Sequence, residues 1–106
     1  MYTDITSEAF QEQFLSGNKG DFQFIDVREI DEYEEAHIPG TTLIPLSEFQ
    51  ARVSEINKDT PVVLVCRSGV RSAQAAMFMA SMGYGELYNL VDGTMGWMIK
   101  GFAVER

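Results

Sequence analysis

One cysteine occurs in this 106-residue chain, and its surroundings are those of a reactive thiol. Cys66 opens the segment Cys66-Arg67-Ser68-Gly69-Val70-Arg71-Ser72, directly after the apolar run Pro61-Val62-Val63-Leu64-Val65. A thiol where a buried strand hands over to a helix meets converging backbone N–H groups and the positive end of the helix. Two arginines share the loop, and positive charge with aligned donors favours the thiolate. Cys66 is therefore the candidate catalytic nucleophile, in a loop built to hold an anion. Arg67, Ser68, Gly69, Val70, Arg71 and Ser72 are the candidate substrate-binding residues. Gly69 is free to take a positive φ and leave space for an added sulfur atom. Ser72 is placed both to cap the helix and to donate a hydrogen bond to the thiolate. Arg67 and Arg71 orient an oxyanion or brace the loop.

The other chemistry-bearing residues have plainer readings. His37 is the only histidine, and no ligand cluster surrounds it, so it is expected to be a turn residue; neither a metal nor a cofactor is expected. Asp26 and Arg28 read as a structural pair near a strand end. Asp31, Glu32, Glu34 and Glu35 read as a solvated helix face or, failing that, as a docking patch for a basic partner. Phe78, Met79 and Met82 read as core plus exposed surface, or as a protein-contact patch.

The elements that must position the loop follow from the apolar pattern. Thr6 or Ser7 caps a first helix reaching about Ser16, with Phe10 and Phe14 on its apolar face. Phe22 to Val27 reads as a strand, Ile30 to Ala36 as a helical turn, and Pro39-Gly40 as a turn. Ser47-Glu48-Phe49-Gln50 has the form of a capping box, followed by Phe49, Val53 and Ile56 on one helical face. Val62 to Val65 is continuously apolar and β-branched, as in a central strand covered on both sides. Ala73, Ala76, Met77 and Ala80 repeat at helical spacing until Gly83 stops the helix. Leu87 to Val91 is a last strand, and a helix over Thr94 to Lys100 presents Trp97 and Met98 to the core. Strands alternating with helices imply an α/β fold with a mostly parallel central sheet and helices on both faces. The ligand site of such a sheet lies at the carboxyl ends of its strands, where Cys66 sits.

Composition narrows the function classes. Hydrophobic residues make up 45% and charged residues 23%, as in an ordinary globular domain. One cysteine excludes an internal disulfide. The net charge of −8 argues against nucleic-acid binding, which requires neutralising phosphates. No apolar run approaches the roughly 20 residues that span a bilayer. The N-terminal residues have no basic flank and no hydrophobic segment, so no signal peptide or membrane partner is expected and a cytoplasmic location follows.

Four segments, taken together and in order, resemble the rhodanese-like domains, which carry sulfur as a cysteine persulfide. They are Ile25-Asp26-Val27-Arg28 with its acidic continuation, His37-Ile38-Pro39-Gly40-Thr41, the loop Cys66 to Ser72, and Asn89-Leu90 through Gly93, Trp97 and Gly101. The resemblance spans nearly the whole chain and implies a single three-layer rhodanese-like domain over residues 1–106. It implies a sulfurtransferase that takes sulfur from a small anionic donor such as thiosulfate, or from a persulfide donor protein. The acceptor is then cyanide or a thiol. Three positions depart from the pattern: Asp92 stands where a second glycine is frequent, Gly96 replaces a small residue such as alanine, and Ala103 replaces a frequent proline. Related phosphatases and arsenate reductases have one more residue between cysteine and arginine than the four found here, which implies a cradle sized for sulfur rather than phosphate. The same resemblance is compatible with a non-enzymatic persulfide carrier or a protein-binding module, and it leaves the oligomeric state open.

Overall fold

The computed structural model describes residues 1–106. Five strands form one sheet: β1 (Thr3–Ile5), β2 (Gln23–Asp26), β3 (Thr42–Leu43), β4 (Val62–Val65) and β5 (Leu87–Leu90). Their order is β1-β5-β4-β2-β3, and every pairing is parallel. The continuous apolar run Val62–Val65 therefore takes the centre, flanked by β2 and β5, and all four residues are buried. Both edges are short strands that the apolar pattern did not mark. Two or three residues are too few to establish a period, and β1 and β3 exist by pairing with β5 and β2.

Side-chain alternation along the strands divides the core into two layers. Ile25, Val62, Leu64, Cys66 and Leu87 face one side, where α3 (Phe49–Arg52) and α4 (Val70–Ser81) supply Phe49, Ala75, Ala76 and Met79. Phe24, Val63, Val65 and Leu90 face the other, against Phe10, Phe14 and Trp97. Those last three come from α1 (Ser7–Phe10) and its continuation, and from α5 (Gly93–Ile99). The arrangement is a three-layer α/β fold with helices on both faces of a parallel sheet.

Several local expectations are corrected. The first helix is capped by Thr6, whose side chain accepts from Ala9 N, a contact worth about 1 kcal/mol. It widens into a π-helical turn over Gln11–Leu15, which brings Phe14 to stack 5.5 Å from Phe10. The capping box at Ser47 does not form. Ser47 lies inside a 3-10 turn, Leu46–Glu48, and its hydroxyl donates to Glu29 Oε1 at 2.9 Å. The capping box belongs instead to α2 (Ile30–Glu35), where Glu29 and Glu32 satisfy each other's backbone N–H. On α4 the buried stripe is Ser72, Ala75, Ala76 and Met79; of the expected Ala73, Ala76, Met77 and Ala80, Ala76 is buried as expected, while Ala73 and Ala80 are half-buried and Met77 is exposed. On α5, Trp97 is buried and donates to Ala103 O, while Met98 is turned outward.

Candidate active site

The loop between β4 and α4 is shaped by where its carbonyls are sent. The first turn of α5 donates to two of them: Thr94 N and Oγ1 reach Cys66 O at 2.8 and 3.1 Å, and Met95 N reaches Arg67 O at 3.1 Å. Asn89 Nδ2 takes Gly69 O at 3.1 Å. With three carbonyls drawn outward, the loop amides turn inward to the sulfur. Gly69 N lies 3.1 Å from Cys66 Sγ, and the Ser72 hydroxyl lies 3.3 Å from it.

Two glycines make this close path possible. Gly69 adopts φ +91° and caps α4. A Cβ there would come within 2.7 Å of Val91 O, so packing against β5 requires the glycine as well as the backbone angle. Gly93 has φ +67°, and a Cβ on it would collide with the Arg67 carbonyl. Asp92, at the position where a second glycine is frequent in the family pattern, accepts from Ser7 N at 2.6 Å and from Lys100 at 2.8 Å. It ties α1 to α5.

Cys66 is 1% exposed. Burial by itself pushes the thiol up. The Ser72 hydroxyl and the amides of Ser72, Ser68 and Gly69 act against burial and prevail, so the thiol sits below its ordinary value. Donors aimed at the sulfur, rather than a neighbouring cation, are the main source of that stabilisation.

The two loop arginines have different partners. Arg71 is held by Glu32 through two bonds of 2.7 and 2.9 Å, which takes Glu32 out of the solvated acidic face assigned to it. Arg67 is exposed, pairs with no carboxylate, and touches only Met95 Sδ at 3.8 Å. It stands at one side of a cleft of about 240 Å³ between α2 and α5, with Glu32, Glu35, Met95 and Met98. Ser68 and Val70 are also exposed. Ser72 does not cap α4, since Gly69 holds that place. Ser72 is inside the helix and fully buried.

The Arg71–Glu32 pair has a readable consequence. Arg71 holds the Glu32 carboxyl at about 2, against an ordinary 4.5. A carboxyl held low adds stability that is present above its unfolded value and fades as it protonates. Glu32→Gln is expected to cost about 1 kcal/mol at pH 7, a modest figure because the pair is partly solvated. The difference should shrink as pH falls from about 4.5 toward about 2. Urea unfolding across that range tests it, and a difference that does not change with pH would mean charge is not the cause.

Asp26 and Arg28 form the structural pair expected of them. His37 is more than a turn residue: Nδ1 lies 2.9 Å from Tyr33 O and its ring stacks on Tyr33, but its backbone also bridges Glu105 and its Nε2 lies 3.2 Å from Glu105 Oε1. Residues 11–100 match the family model of the rhodanese-like domain. The chain belongs to the rhodanese-like family. It is 34% identical over 104 residues to a sulfurtransferase of Allochromatium vinosum, covering 98% of this chain and 95% of that one. It is 40% identical over 97 residues to a Bacillus subtilis protein provisionally named sulfur carrier protein YrkF, covering 92% of this chain. It spans about half, 51%, of that protein's length. A rhodanese-related protein from Thermoplasma volcanium has the same fold, with a TM-score of 0.83, 25% identity and 98% of each chain covered. Its curated relatives thus include a protein named as a sulfur carrier and one named as a sulfurtransferase. No helix is long and apolar enough to cross a membrane.

Asn89, Glu32 and Thr94 were missed as site residues in the sequence. Asn89 did leave a signal, as an amide in the middle of the apolar run Leu87 to Val91. Glu32 left none, because its partner Arg71 lies 39 positions away.

Proposed function

We propose that this chain is a sulfurtransferase, a single domain over residues 1–106, that moves sulfane sulfur through a persulfide on Cys66. The observation that carries this reading is the convergence of the loop amides and the Ser72 hydroxyl on a buried thiol. The Cys66 thiolate attacks the outer sulfur of thiosulfate or of a persulfide donor protein. The S–S bond of thiosulfate breaks and its electron pair leaves with sulfite. The outer sulfur of the new persulfide takes up the negative charge and rests under the loop amides. A thiol or cyanide then attacks that sulfur, and the electron pair of the S–S bond returns to Cys66.

Arg67 is the loop cation left free of carboxylates, so it is the group that meets an anionic donor, while Arg71 braces the loop against α2. A carrier that only receives and delivers persulfide sulfur is the second reading, favoured by the likeness to a protein named as a sulfur carrier. The same intermediate serves both, and the turnover rate with thiosulfate and cyanide separates them. Because Cys66 is the only thiol, thiosulfate should add one sulfur atom, about 32 Da, which dithiothreitol or cyanide removes. Intact mass spectrometry reads this directly. No adduct from thiosulfate or from any persulfide donor, or efficient aryl phosphate hydrolysis without one, would overturn the assignment.

A further inference from the structure

Asn89 is polar where its strand is apolar, and its position in the register explains what it reaches. It shares the parity of Leu87 on β5, so its amide faces the start of α4, where it is 2% exposed. Asn89 Nδ2 donates to Asp4 Oδ1 at 3.0 Å and to Gly69 O at 3.1 Å. Both partners are acceptors, which fixes the amide's orientation and leaves Oδ1 pointing at Ser72. The Ser72 hydroxyl lies 2.5 Å from that oxygen and 3.3 Å from Cys66 Sγ.

A serine hydroxyl has one hydrogen, and here two acceptors share it. With the thiol protonated, Ser72 donates to Asn89 and accepts from S–H, and every group is satisfied. With the thiol ionised, the sulfur needs that hydrogen. Ser72 supplies it only by leaving its oxygen and Asn89 Oδ1 facing each other with no hydrogen between them. We propose that Asn89 is a positioning residue that competes with the Cys66 thiolate for the Ser72 hydrogen, and so favours the neutral forms of this sulfur over the anion.

The consequence for sulfur transfer rests on the persulfide reading above. In the persulfide the charge sits on the outer sulfur and Sγ is neutral, so Ser72 is free to return to Asn89. Discharge breaks the S–S bond and puts the electron pair on Sγ, which recreates the anion that Asn89 disfavours. A poorer leaving thiolate departs more slowly. Asn89 therefore prolongs the loaded state. The charged groups around the sulfur are Arg67 in the loop, Arg71 on α4 with Glu32 of α2, and Asp26 with Arg28 after β2. Asp4 of β1 lies behind Asn89, and on the α5 side Asp92 is paired with Lys100. Substituting Asn89 leaves all of these charges in place.

The test is the pH dependence of Cys66 alkylation by iodoacetamide in the parent, Asn89→Leu, Ser72→Ala and the double variant. Asn89→Leu should lower the midpoint by about one pH unit, because Ser72 is then free to serve the sulfur. Ser72→Ala should raise it by less than about half a unit, and adding Asn89→Leu to Ser72→Ala should change nothing further. A midpoint at or above the parent's in Asn89→Leu would make Asn89 only a tether for Gly69 and overturn the proposal. A shift that persists without Ser72 would overturn it equally. If Asn89→Leu does not fold, Ser72→Ala decides alone: a rise of about one unit or more would mean the hydroxyl serves the sulfur unopposed. Discharge of preloaded persulfide to cyanide should be about threefold faster in Asn89→Leu. Alkylation reads the thiol even where no persulfide forms, so failure of this inference and failure of the persulfide reading give different results.

Discussion

Replacing Cys66 by serine is expected to abolish sulfur transfer while leaving the fold in place. The side chain is buried beneath Gly69 N and the Ser72 hydroxyl, and serine is close to it in size. A serine hydroxyl does not ionise near neutral pH, so donors that stabilise a thiolate have no anion to act on. It also cannot store sulfur as an S–S bond. The rate should fall by at least about a thousandfold, as when the nucleophile of a covalent mechanism is removed. The thiosulfate-dependent mass increase should vanish with it. Near-parental thermal unfolding of Cys66→Ser establishes that lost chemistry, not lost structure, is being read. Transfer that continues in a folded Cys66→Ser protein would mean the persulfide is not the route.

Breaking the ion pair at the end of β2 should have the largest effect on stability. The Asp26 carboxylate is 0% exposed and is held by Arg28 through Nε at 3.0 and 3.1 Å and Nη2 at 2.9 Å. The same guanidinium donates to Ala36 O at 2.7 Å and Glu32 O at 3.3 Å, closing the last turn of α2. Arg28→Met would leave Asp26 with one remaining donor, the backbone N–H of residue 28, and strand Ala36 O, while Glu32 O keeps its bond from Ala36 N. An uncompensated buried charge costs about 3–5 kcal/mol. For a domain of this size that corresponds to a fall in Tm of about 15 °C or more. Asp26→Leu with Arg28→Met should recover much of the loss, because a buried pair replaced on both sides carries no orphaned charge. Recovery should be incomplete, since Ala36 O stays without its donor. Thermal unfolding of the single and double variants decides it. A single variant within about 1 kcal/mol of the parent would mean the buried carboxylate finds another partner.

How the fold was legible depends on the range of the signal. Val62 to Val65 announced a central strand because a strand buried on both faces must be apolar at every position. The helix after Cys66 announced itself by small residues at helical spacing, yet which stripe faced the sheet was misplaced by one position. Ala, Met and Phe are spread over several sides of α4, so composition could not choose the buried side; packing against Leu64 and Phe49 did. The Ser47 capping box failed for a related reason. A local motif states what a side chain is able to bond, and Glu29, 18 positions away, offered a charged acceptor.

The site divides along the same line. The sequence alone marked the candidate nucleophile, its loop and the glycine at its turn, because these are consecutive residues whose chemistry is local. Only the tertiary structure decided which arginine is free and which is tied to α2, that Gly69 is needed to clear Val91, and that the Ser72 hydroxyl lies within reach of both Asn89 Oδ1 and Cys66 Sγ. Those arrangements join residues that parallel strands and crossover helices bring together from distant parts of the chain. The energy of such a contact depends on a distance that no spacing along the chain records.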